Sequence, residues 1–186
     1  MAVLQAVNGQ SPELQLLSQR LLFREIPAVV EWQQQYSAIK SRYQFLVLDG
    51  PSGTGKTRYA HSLAPHPAWR TSYLADCSGG DLDLRRFNID EHRMQILQGM
   101  DPVAAISVKK VVQAGKDPCV LGASPIKLAG YTVCTFNVMI VIVSNRWQDT
   151  LQLLDQVDRD WVTKNSVVID MKQTLDHVVV LRNGKL

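Results

Sequence analysis

An α/β fold, with helices layered on a central, mostly parallel sheet, is what this 186-residue sequence predicts. Three observations carry that prediction. Continuous apolar runs, "QFLVLD" at 44–49 and "VMIVIV" at 138–143, suit strands buried on both faces. Apolar residues at helical spacing lie between such runs, as with Leu151, Leu154, Val157 and Trp161. The junctions are rich in Gly, Pro, Ser and Asp, which end one element and start the next.

In chain order, Ser11, Pro12 and Glu13 make a helix start, and Leu14, Leu17, Leu21 and Leu22 share one face of a helix expected over residues 12–24. Pro27 interrupts that pattern, and "AVVEWQQQYSAIKSRY" resumes it with Val29, Trp32, Tyr36 and Ile39 on a common side. Residues 1–43 therefore form a short N-terminal helical segment, and residues 44–186 the main domain. "QFLVLD" is the first strand, "KTRYAHSLA" a helix stopped by the "PHP" at 65–67, and "TSYLADC" at 71–77 the second strand. "RMQIL" at 93–97 is a third. "DPVAAISVKKVVQA" is a helix capped by Asp101 with Pro102 in its first turn. "YTVCTFNVMIVIVSN" holds one or two strands, "DTLQLLDQVDRDWVT" is helical, and "SVVIDM" and "HVVVLRNGKL" close the chain as strands.

Composition excludes more than it selects. A formal net charge of +3 permits contact with nucleic acid, but no Lys/Arg block stands out; in "LRRFNIDEHR" the arginines alternate with carboxylates, as on a solvated face. Cys77, Cys119 and Cys134 are widely spaced, without zinc-ligand spacing to His61, His66, His92 or His177, which fits a reducing compartment. Without a signal-peptide pattern, and with no apolar run of membrane-spanning length, the chain is expected to be intracellular, cytoplasmic or nuclear, with no membrane association.

The motif that carries chemistry is Gly50-Pro51-Ser52-Gly53-Thr54-Gly55-Lys56-Thr57, a gapless match to G-x-x-x-x-G-K-[ST]. Glycines let backbone N–H groups turn inward around phosphates, Lys56 reaches the terminal phosphates, and the Thr57 hydroxyl ligates magnesium. Strand, glycine loop and helix in that order sharpen the expected fold to the three-layer sandwich of P-loop NTPases. The expected ligands are ATP and Mg2+.

Hydrolysis asks for more than a cradle: an acidic residue at the end of a second strand to order the metal, and a carboxylate to orient water. Asp90 with Glu91 is one candidate pair, but a poor buried strand precedes it. The other strand, "RMQILQGMD", carries Gln98 and Gly99 where the acids belong, and Asp101 comes late. Asn145, ending "MIVIVSN", is the candidate polar contact to the γ-phosphate or the lytic water. Arg146 and Arg159 are candidates for stabilising the transferred phosphoryl group.

"GPSGTGKT" followed at this spacing by "VIVSN" resembles the superfamily 3 helicase-type ATPases. The likeness is greatest to the helicase domain of replication initiators of single-stranded DNA viruses and to related eukaryotic P-loop proteins, and it covers residues 44–170. The resemblance implies that Lys56 and Thr57 hold phosphate and magnesium and that Asn145 is the sensor of the third motif. It favours "MQILQGM" as the second-motif strand, where the acidic pair is replaced by Gln98-Gly99, leaving ATP binding with weak hydrolysis and Asp101 as a partial substitute. It also implies single-stranded nucleic acid and further copies of the chain, as a homo-oligomer, for partners. The nuclease half of such initiators is not expected, since no H-x-H pair occurs. Two other functions fit the loop: a small P-loop nucleotide or metabolite kinase, with "DLDLRRFNIDEHR" as its lid and Asp90 catalytic, and a non-hydrolysing nucleotide-binding interaction protein.

Overall fold

A computed structural model describes residues 23, 25–65, 71–79, 82–122 and 130–171. The helix expected over 12–24 and the strand "HVVVLRNGKL" lie outside the described residues.

Helix α1 (Pro27–Gln34) leads to strand β1 (Phe45–Asp49), helix α2 (Lys56–Ser62), β2 (Ser72–Asp76) and β3 (Met94–Gln98). Short helices α3 (Pro102–Ser107) and α4 (Lys109–Val112) come next, then β4 (Cys119–Leu121), β5 (Tyr131–Val133) and β6 (Met139–Ser144). Helices α5 (Trp147–Gln152) and α6 (Gln156–Asn165) precede β7 (Ser166–Asp170). Five strands form one sheet in the order β2-β3-β6-β1-β7, with every neighbouring pair parallel. β4 and β5 pair antiparallel as a separate ribbon.

Side chains alternate across the sheet, so each central strand feeds two cores. Phe45, Val47, Leu97, Ile140 and Ile142 face one side, where they meet Ala105, Val111, Val112, Trp147 and Val162 of α3 to α6. Leu46, Leu48, Ile96, Val141 and Val143 face the other, against Val29 and Trp32 of α1 and Tyr59 and Ala60 of α2. These are the three layers of helix, sheet and helix expected from the apolar runs. The described part of the N-terminal segment is thus packed on the sheet, and the Trp32 indole Nε1 donates to the Gln44 carbonyl at 2.8 Å.

Several boundaries differ from the sequence expectation, each for a local reason. Pro27 stands at the first position of α1, where proline's fixed φ and missing N–H suit the first turn. The helix expected to run on to Tyr43 stops in a 3-10 turn at Gln35–Ser37. There the Gln35 side chain clamps the Gln44 backbone with two 2.9 Å bonds, and the chain must extend to enter β1. Ile39, assigned to the buried face, is 76% exposed.

The single helix expected after Asp101 breaks at Val108 (φ −118°, ψ 37°), which lets Ala105 before the break and Val111 and Val112 after it bury in one core. The helical stretch from Asp149 likewise splits. Asp155 starts α6 by accepting from the Asp158 N–H at 2.9 Å, and Arg159 Nη2 ties down the carbonyls of Gln152 and Leu154, both at 2.9 Å. β4 was not expected from the sequence: three residues with an exposed Val120 carry too little pattern.

Candidate nucleotide site

Because the five strands are parallel, the loops after β1, β2, β3 and β6 emerge at one edge of the sheet. In open α/β sheets that carboxyl edge is where ligands bind. β6 lies between β1 and β3, so the residues ending it stand between the glycine loop and the end of β3. A cleft of about 490 Å³ opens there, lined by residues 52–58 with Asp76, Ser78, Gln98, Gly99, Val143 and Asn145.

The loop is shaped by its glycines. Gly50 (φ +147°) cannot carry a side chain, since a Cβ would sit 2.5 Å from the Met171 carbonyl oxygen. That contact arises because β7 closes on β1, with the Met171 N–H donating to the Asp49 carbonyl at 2.6 Å. Gly53 (φ +85°) and Gly55 (φ +83°) take left-handed backbone that other residues rarely adopt. The Thr54 hydroxyl donates to the Pro51 carbonyl at 3.0 Å and so ties the loop across itself.

Lys56 is buried, and its ammonium donates to the carbonyls of Gly50 (2.7 Å) and Pro51 (2.6 Å), with Thr54 Oγ1 at 3.4 Å. Burial lowers the lysine pKa, and the nearby Asp49 carboxylate opposes that shift. Asp49 is buried at the end of β1 and accepts from the backbone N–H groups of Trp147 (2.9 Å) and Gln148 (3.1 Å). It thereby fixes the start of α5, and with it the Asn145 segment, to the strand that carries the loop. The sequence offered one sign of this role, a carboxylate ending an apolar strand.

The Thr57 hydroxyl faces the side chain of Gln98, whose Oε1 accepts from it at 3.5 Å, the long end of hydrogen bonding. The end of β3 therefore does meet the loop, and the residue it presents is an amide. Asn145 lies on the cleft wall.

The acidic candidates are placed apart. Asp90 lies in the exposed turn of residues 88–91 that precedes β3, at the opposite edge of the parallel sheet from the loop. Asp101 caps α3, its Oδ1 accepting from the Ala104 N–H at 2.8 Å. Neither lines the cleft among the described residues. Arg159 is engaged in the turn between α5 and α6, and Arg146 is exposed one residue beyond Asn145. Arg58, Asp76 and Ser78 line the cleft without having been singled out in the sequence. Only the strand order brings β2 to this edge, and no local pattern announces it.

Hard oxygen donors, the Thr57 hydroxyl and the Asp76 carboxylate, stand in the cleft, a donor set suited to magnesium shared with phosphates. No group of three or more His, Cys, Asp and Glu side chains that could hold a metal by itself occurs among the described residues. All three cysteines are free thiols, and no described helix is long and apolar enough to cross a membrane.

No protein-family model matches the chain, and no curated protein does. Among solved structures, NtrX from Brucella abortus, crystallised in complex with ATP, matches with 13% identity and a TM-score of 0.43. The match covers 85% of this chain and 41% of that one, so the chain spans less than half of that structure's length.

Proposed function

We propose that the chain binds ATP with Mg2+ at residues 50–57 and is a nucleotide-binding P-loop protein of the superfamily 3 helicase type with weak hydrolysis. The observation that carries this reading is the juxtaposition at one sheet edge of the glycine loop, Lys56, Thr57 and Asn145. Inward-turned backbone and a lysine can cradle the β and γ phosphates. Thr57 would hold the metal, which when bound neutralises phosphate charge and polarises the γ-phosphoryl group. Asn145, on the strand next to β1, would contact the γ-phosphate or a water beside it.

Weak hydrolysis follows from the end of β3. Gln98 offers an amide where a general base or a metal-ordering acid is needed, and an amide takes no proton at neutral pH. The same observation supports a second reading, a nucleotide-binding interaction protein without turnover. Single-stranded nucleic acid and further copies of the chain are the partners that the helicase-type reading implies.

The test is MgATP binding and steady-state phosphate release by the purified chain, with Lys56→Ala alongside and single-stranded DNA added in series. The expected outcome is ATP-dependent thermal stabilisation that Lys56→Ala abolishes, a shift of about 2.7 kcal/mol at a hundredfold excess over Kd. Release that exceeds the Lys56→Ala blank and rises with DNA supports the helicase-type reading. Binding without release favours the interaction protein, and absence of binding by the unmodified chain refutes both.

A further inference from the structure

We propose that Asp76, at the end of β2, supplies the metal-ordering carboxylate that the end of β3 lacks. The inference rests on the cleft being a magnesium-nucleotide site.

In the parallel register Asp76 is the direct partner of Gln98, so the two side chains project from the same face of the sheet. That face is the one on which Gln98 meets the Thr57 hydroxyl. Asp76 lines the cleft together with Thr57 and Gln98, and it is the single carboxylate among the described residues that do so.

Two carboxylates near the loop and the end of β3 are committed. Asp49 gives both oxygens to the N–H groups that open α5, and Asp101 serves α3. Asp76 instead is held and open at once. Its Oδ1 accepts from the Ser78 N–H at 3.0 Å and the Ser78 hydroxyl at 2.6 Å, while Oδ2 has no hydrogen-bond partner among the described residues.

Gly99 brings the ends of β2 and β3 close together. With φ +79°, its hypothetical Cβ would lie 3.1 to 3.2 Å from the Ser78 Cβ, Cα and N. The backbones are drawn together by the Cys77 N–H on the Gln98 carbonyl at 2.7 Å and the Gly99 N–H on the Val143 carbonyl at 2.8 Å. A side chain at position 99 would take a strained backbone and require the Ser78 turn to give by a few tenths of an ångström. Thr57, Asp76 and the phosphates together make the mixed oxygen set in which a magnesium ion keeps several waters.

The experiment is titration of a fluorescent ATP analogue into the full chain, in Mg2+ and in EDTA, for the unmodified protein, Lys56→Ala and Asp76→Asn. Magnesium should tighten binding by the unmodified protein. Asp76→Asn should keep the EDTA affinity and lose at least about tenfold of the magnesium enhancement, the scale on which ligand-supporting residues act. Full enhancement in Asp76→Asn overturns the assignment, as does an unmodified protein that binds without any enhancement; both leave nucleotide binding standing. Weaker binding by Asp76→Asn in EDTA also overturns it, because removing a negative charge beside the cleft cannot weaken a metal-free triphosphate through a metal. No binding by the unmodified protein in either condition refutes the nucleotide site itself.

Discussion

Gln95 lies in the middle of β3, fully buried, with both amide atoms lacking a hydrogen-bond partner among the described residues. A buried polar group without a partner costs about 1–3 kcal/mol, and an apolar side chain of the same length removes that cost. Gln95→Met is therefore expected to raise stability by about 1–2 kcal/mol in urea denaturation, and an unchanged or lower midpoint would show that the amide is satisfied in solution. The glycine loop was legible residue by residue, because each position answers a steric or chemical demand of the motif. Asp76 was not, since it sits in "LADCS", which has no motif, and gains meaning only from its register with Gln98.

At the scale of elements, Asp101 separates two roles that the sequence left together. In the structure its carboxylate closes the first turn of α3. Asp101→Ala should cost about 1 kcal/mol as the loss of a helix cap, with ATP affinity and any phosphate release unchanged at temperatures where the variant is folded. A selective loss of release at full stability would return Asp101 to the catalytic set.

Element type was legible wherever burial imposed a strong period, as in β1 and β6. Element ends were less so, because they depend on distant partners. The Gln35 clamp on Gln44 and the grip of Arg159 on the carbonyls of Gln152 and Leu154 end helices that helical spacing alone would continue.

Over the whole molecule, buried neutral acids contribute a loss of stability in alkali, against which the lowered pKa of buried Lys56 acts. Burial raises the Cys77 thiol from an ordinary 9.0 to about 12, and Tyr59 from 10.0 to about 12, with the Glu25 charge adding to the latter. Raised acids favour the folded state while they stay protonated. Their contribution is complete below the unfolded value and is lost as pH rises toward the folded one. Stability should hold to pH 9.0 and fall from there toward about 12. Cys77→Ala should flatten the first part of that fall, between 9.0 and 10.0, before Tyr59 begins to differ between the two states. Denaturation midpoints at pH 8 to 10 check this, and an identical slope in the variant would place the loss elsewhere.

The parallel sheet was legible as a class from its apolar runs, but its strand order was not. Parallel strands are joined by crossovers, so sequence neighbours need not be sheet neighbours. The order β2-β3-β6-β1-β7 sets Asn145 between the loop and Gln98, while the common direction of the strands leaves Asp90, which precedes β3, at the opposite edge.

The ammonium of Lys56 is engaged by the loop's own carbonyls at 2.6 and 2.7 Å. On the proposed reading, a phosphate arriving there trades places with those carbonyls instead of meeting an idle charge. A lone small anion recovers little in such a trade, whereas a polyphosphate chain replaces several contacts in one event and adds charge-assisted bonds. On that reading, the loop would favour a polyphosphate chain over a lone small anion.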